Sequence, residues 1–269
     1  MQNNFQKKHD LWLEVLFASF AIENPVIKEM LYDFSMIEFR HMKWMAQAIT
    51  EQGGSYNYER GFELYKKETV FEILRTLQSS LITMQTHYNN TPTCSRMITD
   101  EQYMAESLAC LLKDPSNDAQ ITAFNGARRY GNKNLDQEQL DALTIFLFEE
   151  SYKEYELILI YAYLQVQTDD LKAYTVFQDL VDESHFHLKS FANMMAKMGI
   201  LALPRTVHEM SYKIDDIPGF ITKGIAEEEA AKEQCLALSE SIRDEELSMF
   251  FDFINYQESY HIALMQKLL

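Results

Sequence analysis

Chain-breaking residues are scarce in this sequence: eight glycines and five prolines in 269 residues. That shortage excludes a turn-rich fold and, with 47% hydrophobic residues, indicates a compact, helix-rich globule with ample core. Positive charge is also short, 24 Lys and Arg against 41 Asp and Glu, for a net charge of −17. Neither nucleic acid nor an anionic membrane surface suits such a chain, since both need clustered Lys and Arg. Cysteine is limited to Cys94, Cys110 and Cys235, widely spaced. With no Cys-x-x-Cys pair, a zinc ribbon or rubredoxin-type iron site within the chain is excluded. Long apolar runs are absent too. The longest, residues 11–22 (interrupted by Glu14 and Ser19) and 157–164, fall short of the ~18 residues of a membrane span. The first residues, Met-Gln-Asn-Asn-Phe-Gln-Lys-Lys, lack the apolar core of a secretory signal. The expectation is a soluble cytoplasmic protein.

What is present is apolar periodicity of the 3,4 type along almost the whole chain, with no convincing alternating strand. Helices are expected over residues 9–22, 25–51, 62–88, 100–113, 139–167, 171–198, 225–242 and 245–269. Asn24-Pro25 offers an N-cap followed by a proline at the first helical position. The polar run from Asn89 to Thr93 breaks the third helix. Residues 114–137 are the most loop-like and mark a domain boundary, giving expected domains 1–115 and 136–269. Residues 200–224, with Pro204, Pro218, Gly219 and Gly224, read as a long crossover. Each half is then hairpin, crossover, hairpin. The expected fold is all-α, with two four-helix bundles of ferritin-like topology in tandem. Counting fourteen residues back from Glu38, Ser184 and Glu258 gives Asn24, Asp170 and Asp244, all good N-caps, which suggests internal duplication.

The chemistry is carried by Glu258-Ser259-Tyr260-His261, a glutamate and a histidine one turn apart on a helix face that is otherwise apolar. An ionisable pair facing a core is costly unless something neutralises it, and a divalent metal is the usual partner. One Glu-x-x-His alone is most often coincidence. Here it recurs as Glu38-Phe39-Arg40-His41 and, distorted, around Glu183 and His187. Thirty residues before Glu258 stands Glu228, and thirty before Ser184 stands Glu154, each one helix upstream and level with the motif after a hairpin turn. The second half thus offers Glu154, Glu183, His187, Glu228, Glu258 and His261. Four carboxylates and two imidazoles can hold two divalent ions, and oxygen and nitrogen donors without thiolate suit iron or manganese.

The segment from Glu228-Glu229-Ala230-Ala231 through Leu238, Asp244, Leu247 and Phe250 to Glu258-x-x-His261 resembles the ferritin-like di-iron carboxylate superfamily, and rubrerythrin-type bundles most. The resemblance covers about 130 residues of the second half and is weaker in the first. It implies a bridging carboxylate at Glu258, a terminal imidazole at His261, and further carboxylates at Glu228 and Glu154. The sequence departs from the pattern at Ser184, which holds the glutamate place relative to His187. Glu183 is one turn before His187, and His187 is favoured over His185 by its apolar neighbours.

The first half keeps Glu14, Glu38 and His41, with Glu14 the only charge in residues 11–22. Its partner hairpin is poorer: Glu68, Glu72 and Glu106 are available, but Ala109 stands where a histidine would follow Glu106. Either this half is degenerate or its ligands pack against the second half.

The implied activity is an oxidoreductase holding two iron ions (manganese remains open), reacting with peroxide or dioxygen as a peroxidase or ferroxidase. An external electron donor is required, as no rubredoxin-like module is present. Iron storage and a helical scaffold with decayed metal sites are the rival readings. The oligomeric state stays open, a homodimer among the options.

Overall fold

The computed structural model describes residues 2–61, 67–89, 91–121, 126–127, 129–202 and 204–269. All regular structure among them is helical: α1 (Gln2–Ala21), α2 (Pro25–Glu51), α3 (Val70–Gln85), α4 (Pro92–Leu111), α5 (Gln137–Gln167), α6 (Leu171–Lys197), the single turn α7 (Glu209–Tyr212), α8 (Ile217–Ser241) and α9 (Glu245–Gln266). No helix among the described residues is long and apolar enough to cross a membrane. The chain divides into two compact units, residues 1–125 with 201–208, and residues 126–200 with 209–269.

In unit 1, α1 packs along α2 and α3 along α4, while α1–α3 and α2–α4 contacts join the two hairpins. Helix α1 is buried nearly all round, from Phe5 through Trp12, Leu16 and Phe20 to Ala21. A helix apolar on every face can only be interior. Trp12 meets Phe39 of α2 at 5.0 Å between ring centroids. The α2–α3 crossover is pinned to α1 by Tyr56 and Tyr58, whose rings lie 4.6 and 5.7 Å from Phe5. The Gly61 N–H, donating to Asp10 Oδ1 at 3.0 Å, adds a polar tie.

Unit 2 repeats the plan. Here α5 packs along α6 and α8 along α9, with α6–α9 and α5–α8 contacts between the hairpins. Its core centres on Phe146, which meets Phe191 and Phe251 edge-on at 5.6 and 5.3 Å. Short α7 lies against α5, Tyr212 packing on Tyr163 at 5.1 Å.

The capping residues repeat as well. Asn24 accepts from the N–H groups of Val26 and Ile27, Asp170 from Lys172, and Asp244 from Leu247. Each satisfies orphan donors of a helix start, an effect of about 1 kcal/mol. After α2 and α6 the chain turns through Gly53 (φ 68°) and Gly199 (φ 73°), in the left-handed region that glycine enters without a Cβ penalty.

Several helix starts differ from the sequence expectation. Helix α1 begins at Gln2 rather than residue 9, α4 at Pro92 rather than 100, and α8 at Ile217 rather than 225. In the last two the cause is the same. Pro92 and Pro218 sit in the first turn behind the caps Thr91 and Asp216, where a missing N–H costs nothing. The expected start of the third helix falls partly on residues 62–66, outside the described residues. Lys67 and Glu68 are not helical, and Thr69 caps α3 with Glu72 closing a capping box.

His9 on α1 is fully buried. Burial, helped by the Arg60 charge and opposed by the Glu59 carbonyl, lowers it to about 3. A histidine with a depressed native pKa leaves the unfolded chain binding the extra proton. Its contribution to stability is therefore complete above pH 6.5 and lost as pH falls toward 3. We expect unfolding free energy to drop by about 2 kcal/mol between pH 7 and pH 5 from this group alone. Urea unfolding of the wild type and a His9→Gln variant at both pH values checks this: the variant's difference should be smaller by that amount.

Candidate metal centre

Helices α6 and α9 are set by their caps, so residues fourteen positions further on lie at matching depth, ~21 Å along each axis. On α9 that residue is Glu258, with His261 one turn beyond. On α6 it is the buried Ser184, and the neighbouring Glu183, 28% exposed, enters from the rim. Glu154 from α5 and Glu228 from α8 complete the set, both buried. Each of the four long helices of unit 2 contributes.

Distances among these side chains are short. His187 Nδ1 is 2.9 Å from Glu154 Oε1 and 3.7 Å from Glu258 Oε1. His261 Nδ1 is 2.9 Å from Glu258 Oε2 and 3.7 Å from Glu228 Oε2. Its Nε2 is 3.6 Å from Glu183 Oε2. The imidazoles stand 5.2 Å apart between centroids. Three overlapping groups have ligand atoms within 4.8 Å of one another: Glu154, His187 and Glu258; Glu228, Glu258 and His261; Glu183, His187 and His261. All six residues expected from the second half are therefore brought together. Histidine 185 is not among them, and its Nδ1 lies 2.8 Å from the Val181 carbonyl.

Without a cation, protons must balance this charge. Burial opposes charging His261, but Glu183, Glu228 and Glu258 outweigh it and push the imidazole up to about 12. Burial and the adjoining Glu228 raise Glu258 to about 8. Glu228 is held down at about 2 despite its burial, by its hydrogen bond with Glu258 and by His261. Burial would also lower His187, yet Glu154 raises it above its ordinary value. Even so, Glu154 Oε2 and His261 Nε2 are buried with no hydrogen-bond partner among the described residues. A buried carboxylate oxygen left without a partner, among carboxylates and imidazoles at this spacing, fits a cation.

Three residues around the cluster were not anticipated. Gln257 donates its Nε2–H to Glu183 Oε2 at 3.0 Å, and its Oε1 lies 3.2 Å from His187 Nε2. An amide oxygen there holds the proton on His187 Nε2 and turns Nδ1 toward Glu154 and Glu258. Glu150 is only 12% exposed and is raised to about 7, chiefly by burial. Lys153 contacts it at 3.7 Å. Glu150 is one turn before Glu154, and that i, i+4 spacing was the available signal.

Unit 1 gives a different result. Glu38 and His41 are fully buried. The third member of their group is Glu101 of α4, neither Glu14 nor Glu68, Glu72 or Glu106. Glu14 is only partly buried, in the groove between α1 and α3, with a hydrogen bond from Ser80. Glu72 is spent on capping α3, and Glu68 and Glu106 are exposed. Glu101 is one turn nearer the N-terminus of α4 than the cap register predicts, because that register falls on Ala105. Between Glu38 and Glu101 lies the ammonium of Lys8.

No family model, curated protein or solved structure matched the chain.

Two outcomes follow for unit 2. Ligands that carry protons at neutral pH must release them to bind a cation, so titration with Mn(II) at pH 7 should release roughly two to three protons per chain, from His261, Glu258 and His187. Apparent affinity should rise with pH, steeply until Glu258 ionises near 8 and less steeply above it, where only the His261 proton is left to displace. Calorimetry in buffers of different ionisation enthalpy measures both. Gln257→Leu should weaken Mn(II) binding by roughly 10–100-fold without unfolding the protein.

Proposed function

We propose that unit 2 is a ferritin-like four-helix bundle binding two iron or manganese ions, and that the protein is an oxidoreductase acting on peroxide or dioxygen. The observation that carries this reading is the sharing of ligands. Glu258 belongs both to the group with Glu154 and His187 and to the group with Glu228 and His261. Glu183 reaches toward both imidazoles. Two cation positions, each with its own carboxylate and histidine and two carboxylates between them, account for all six residues. The layout also matches the di-metal carboxylate bundles, in which two helices give one Glu each and two give a Glu and a His one turn apart. Glu183 and His187 are four apart instead of three, which still spans one helical turn.

Two adjacent redox-active ions would supply electrons in pairs, the stoichiometry that clean reduction of peroxide requires. The chain's own residues provide the setting. Glu154 and Glu228 would hold the two ends of the site, and Glu258 and Glu183 lie between them as the carboxylates both ions would share. Gln257 fixes the His187 ring. Phe191, 5.7 Å from His187 between centroids, and Phe146 behind it keep one wall of the site apolar. Glu150 and Lys153 stand one turn along α5, where a carboxyl balanced near neutrality can take up or return a proton. Reducing equivalents come from outside the chain.

Elemental analysis after anaerobic loading tests this. About two ions per chain are expected, lost in a folded Glu258→Ala/His261→Ala variant. The ferrous protein should be oxidised rapidly by one equivalent of peroxide, seen by stopped-flow absorbance. Loading far beyond two ions favours storage. No loading in the folded wild type overturns the reading and leaves a helical scaffold.

A further inference from the structure

The thirty-residue relation that links Glu228 to Glu258 and Glu154 to Ser184 has a third instance in the first hairpin. Thirty residues before Glu38 stands Lys8. Where the two hairpins of unit 2 present a carboxylate from the upstream helix, α1 presents an ammonium. Lys8 is fully buried, as are Glu38 and Glu101. Its Nζ hydrogen-bonds Glu38 Oε2 and lies 2.6 Å from Glu101 Oε1. The Tyr88 hydroxyl donates to the same Glu101 oxygen. His41 turns its Nε2 away, toward Asp100 Oδ2 at 3.0 Å.

This arrangement does not fit a metal ion. The point between the two carboxylates is taken by a covalently attached cation, which already supplies the positive charge a metal would bring. We propose that unit 1 carries its cation within the chain: the Lys8 ammonium stands in the metal position, and metal uptake is confined to unit 2. The charge pattern agrees. Burial raises Glu101, with the Glu38 charge adding to it, while Glu38 is held below its ordinary value because Lys8 and His41 outweigh its burial. One positive charge thus faces close to one negative charge. In unit 2 the equivalent positions carry glutamates, and a cation must come from solution. The claim about unit 1 stands on its own residues; only the identity of unit 2 as the metal-binding partner rests on the function proposed above.

The test uses the full chain with unit 2 silenced by Glu258→Ala/His261→Ala, and Mn(II) alone as probe, counted by elemental analysis and electron paramagnetic resonance. With Lys8 intact this chain should bind no Mn(II). Adding Lys8→Glu should create one Mn(II) site per chain. Its melting temperature should rise with Mn(II), and a further Glu101→Gln should abolish both effects. If Lys8→Glu does not fold without metal, Lys8→Met keeps the stem and removes the charge, and the same gain of Mn(II) is expected. The proposal is overturned if the silenced chain binds Mn(II) that Glu101→Gln removes while Lys8 is present. It is also overturned if a folded Lys8 variant gains none. Failure of the unit 2 reading looks different: the unmutated chain would then lose no bound metal on Glu258→Ala/His261→Ala.

Discussion

Negative charge buried among apolar helices has to be matched by positive charge, and both units of this protein are organised by that requirement. A carboxylate stranded in a core costs several kcal/mol. Each unit nonetheless brings glutamates from different helices to one depth: Glu38 and Glu101 in the first, Glu154, Glu228 and Glu258 in the second. The first resolves the cost with a lysine from α1 and a tyrosine from the α3–α4 connection. The second answers with two histidines, protons and the neighbouring Lys153, and still leaves Glu154 Oε2 without a hydrogen-bond partner among the described residues. The same backbone plan thus yields one unit with a lysine ammonium set between its buried carboxylates and one whose buried carboxylates and imidazoles could hold a metal ion.

Much of this was legible in the sequence because the governing signals are local. Caps at Asn24, Asp170 and Asp244 fix where three helices begin, and counting from them finds the ligand depth on each. The thirty-residue relation across a tight hairpin then finds the facing carboxylate. Those two rules bring out Glu154, Glu228 and Glu258, and the one-turn spacing of Glu and His adds His261, Glu183 and His187. In the first hairpin Glu14 drew attention as the lone charge in an apolar run, yet it faces the α1–α3 groove. Reading α1 as starting at residue 9 also left Lys8 outside the helix. Glu101 was hidden for another reason: it lies one turn off the cap register of α4, and only packing of α4 against α2 reveals that it reaches Glu38.

Prolines misled in a consistent way. Pro92 and Pro218 were read with the connections around them, although behind a capping Thr or Asp a proline opens a helix. Gln257 was invisible because an amide next to a ligand has no spacing signal. Its role depends on simultaneous contact with Glu183 and His187, two residues of another helix, and such a contact exists only once both helices are packed.

The capped starts of α6 and α9 carry a consequence of their own. Because the cap fixes where the helix begins and ligand depth is counted from it, these hairpins act as rulers. Side chains along the way can change with little effect on where the clustered glutamates and histidines arrive. An added or deleted residue between Asp244 and Glu258 is another matter: each residue turns an α-helix by about 100°, and the carboxylate would swing out of the cluster toward solvent. In this architecture the quantity that cannot drift is length.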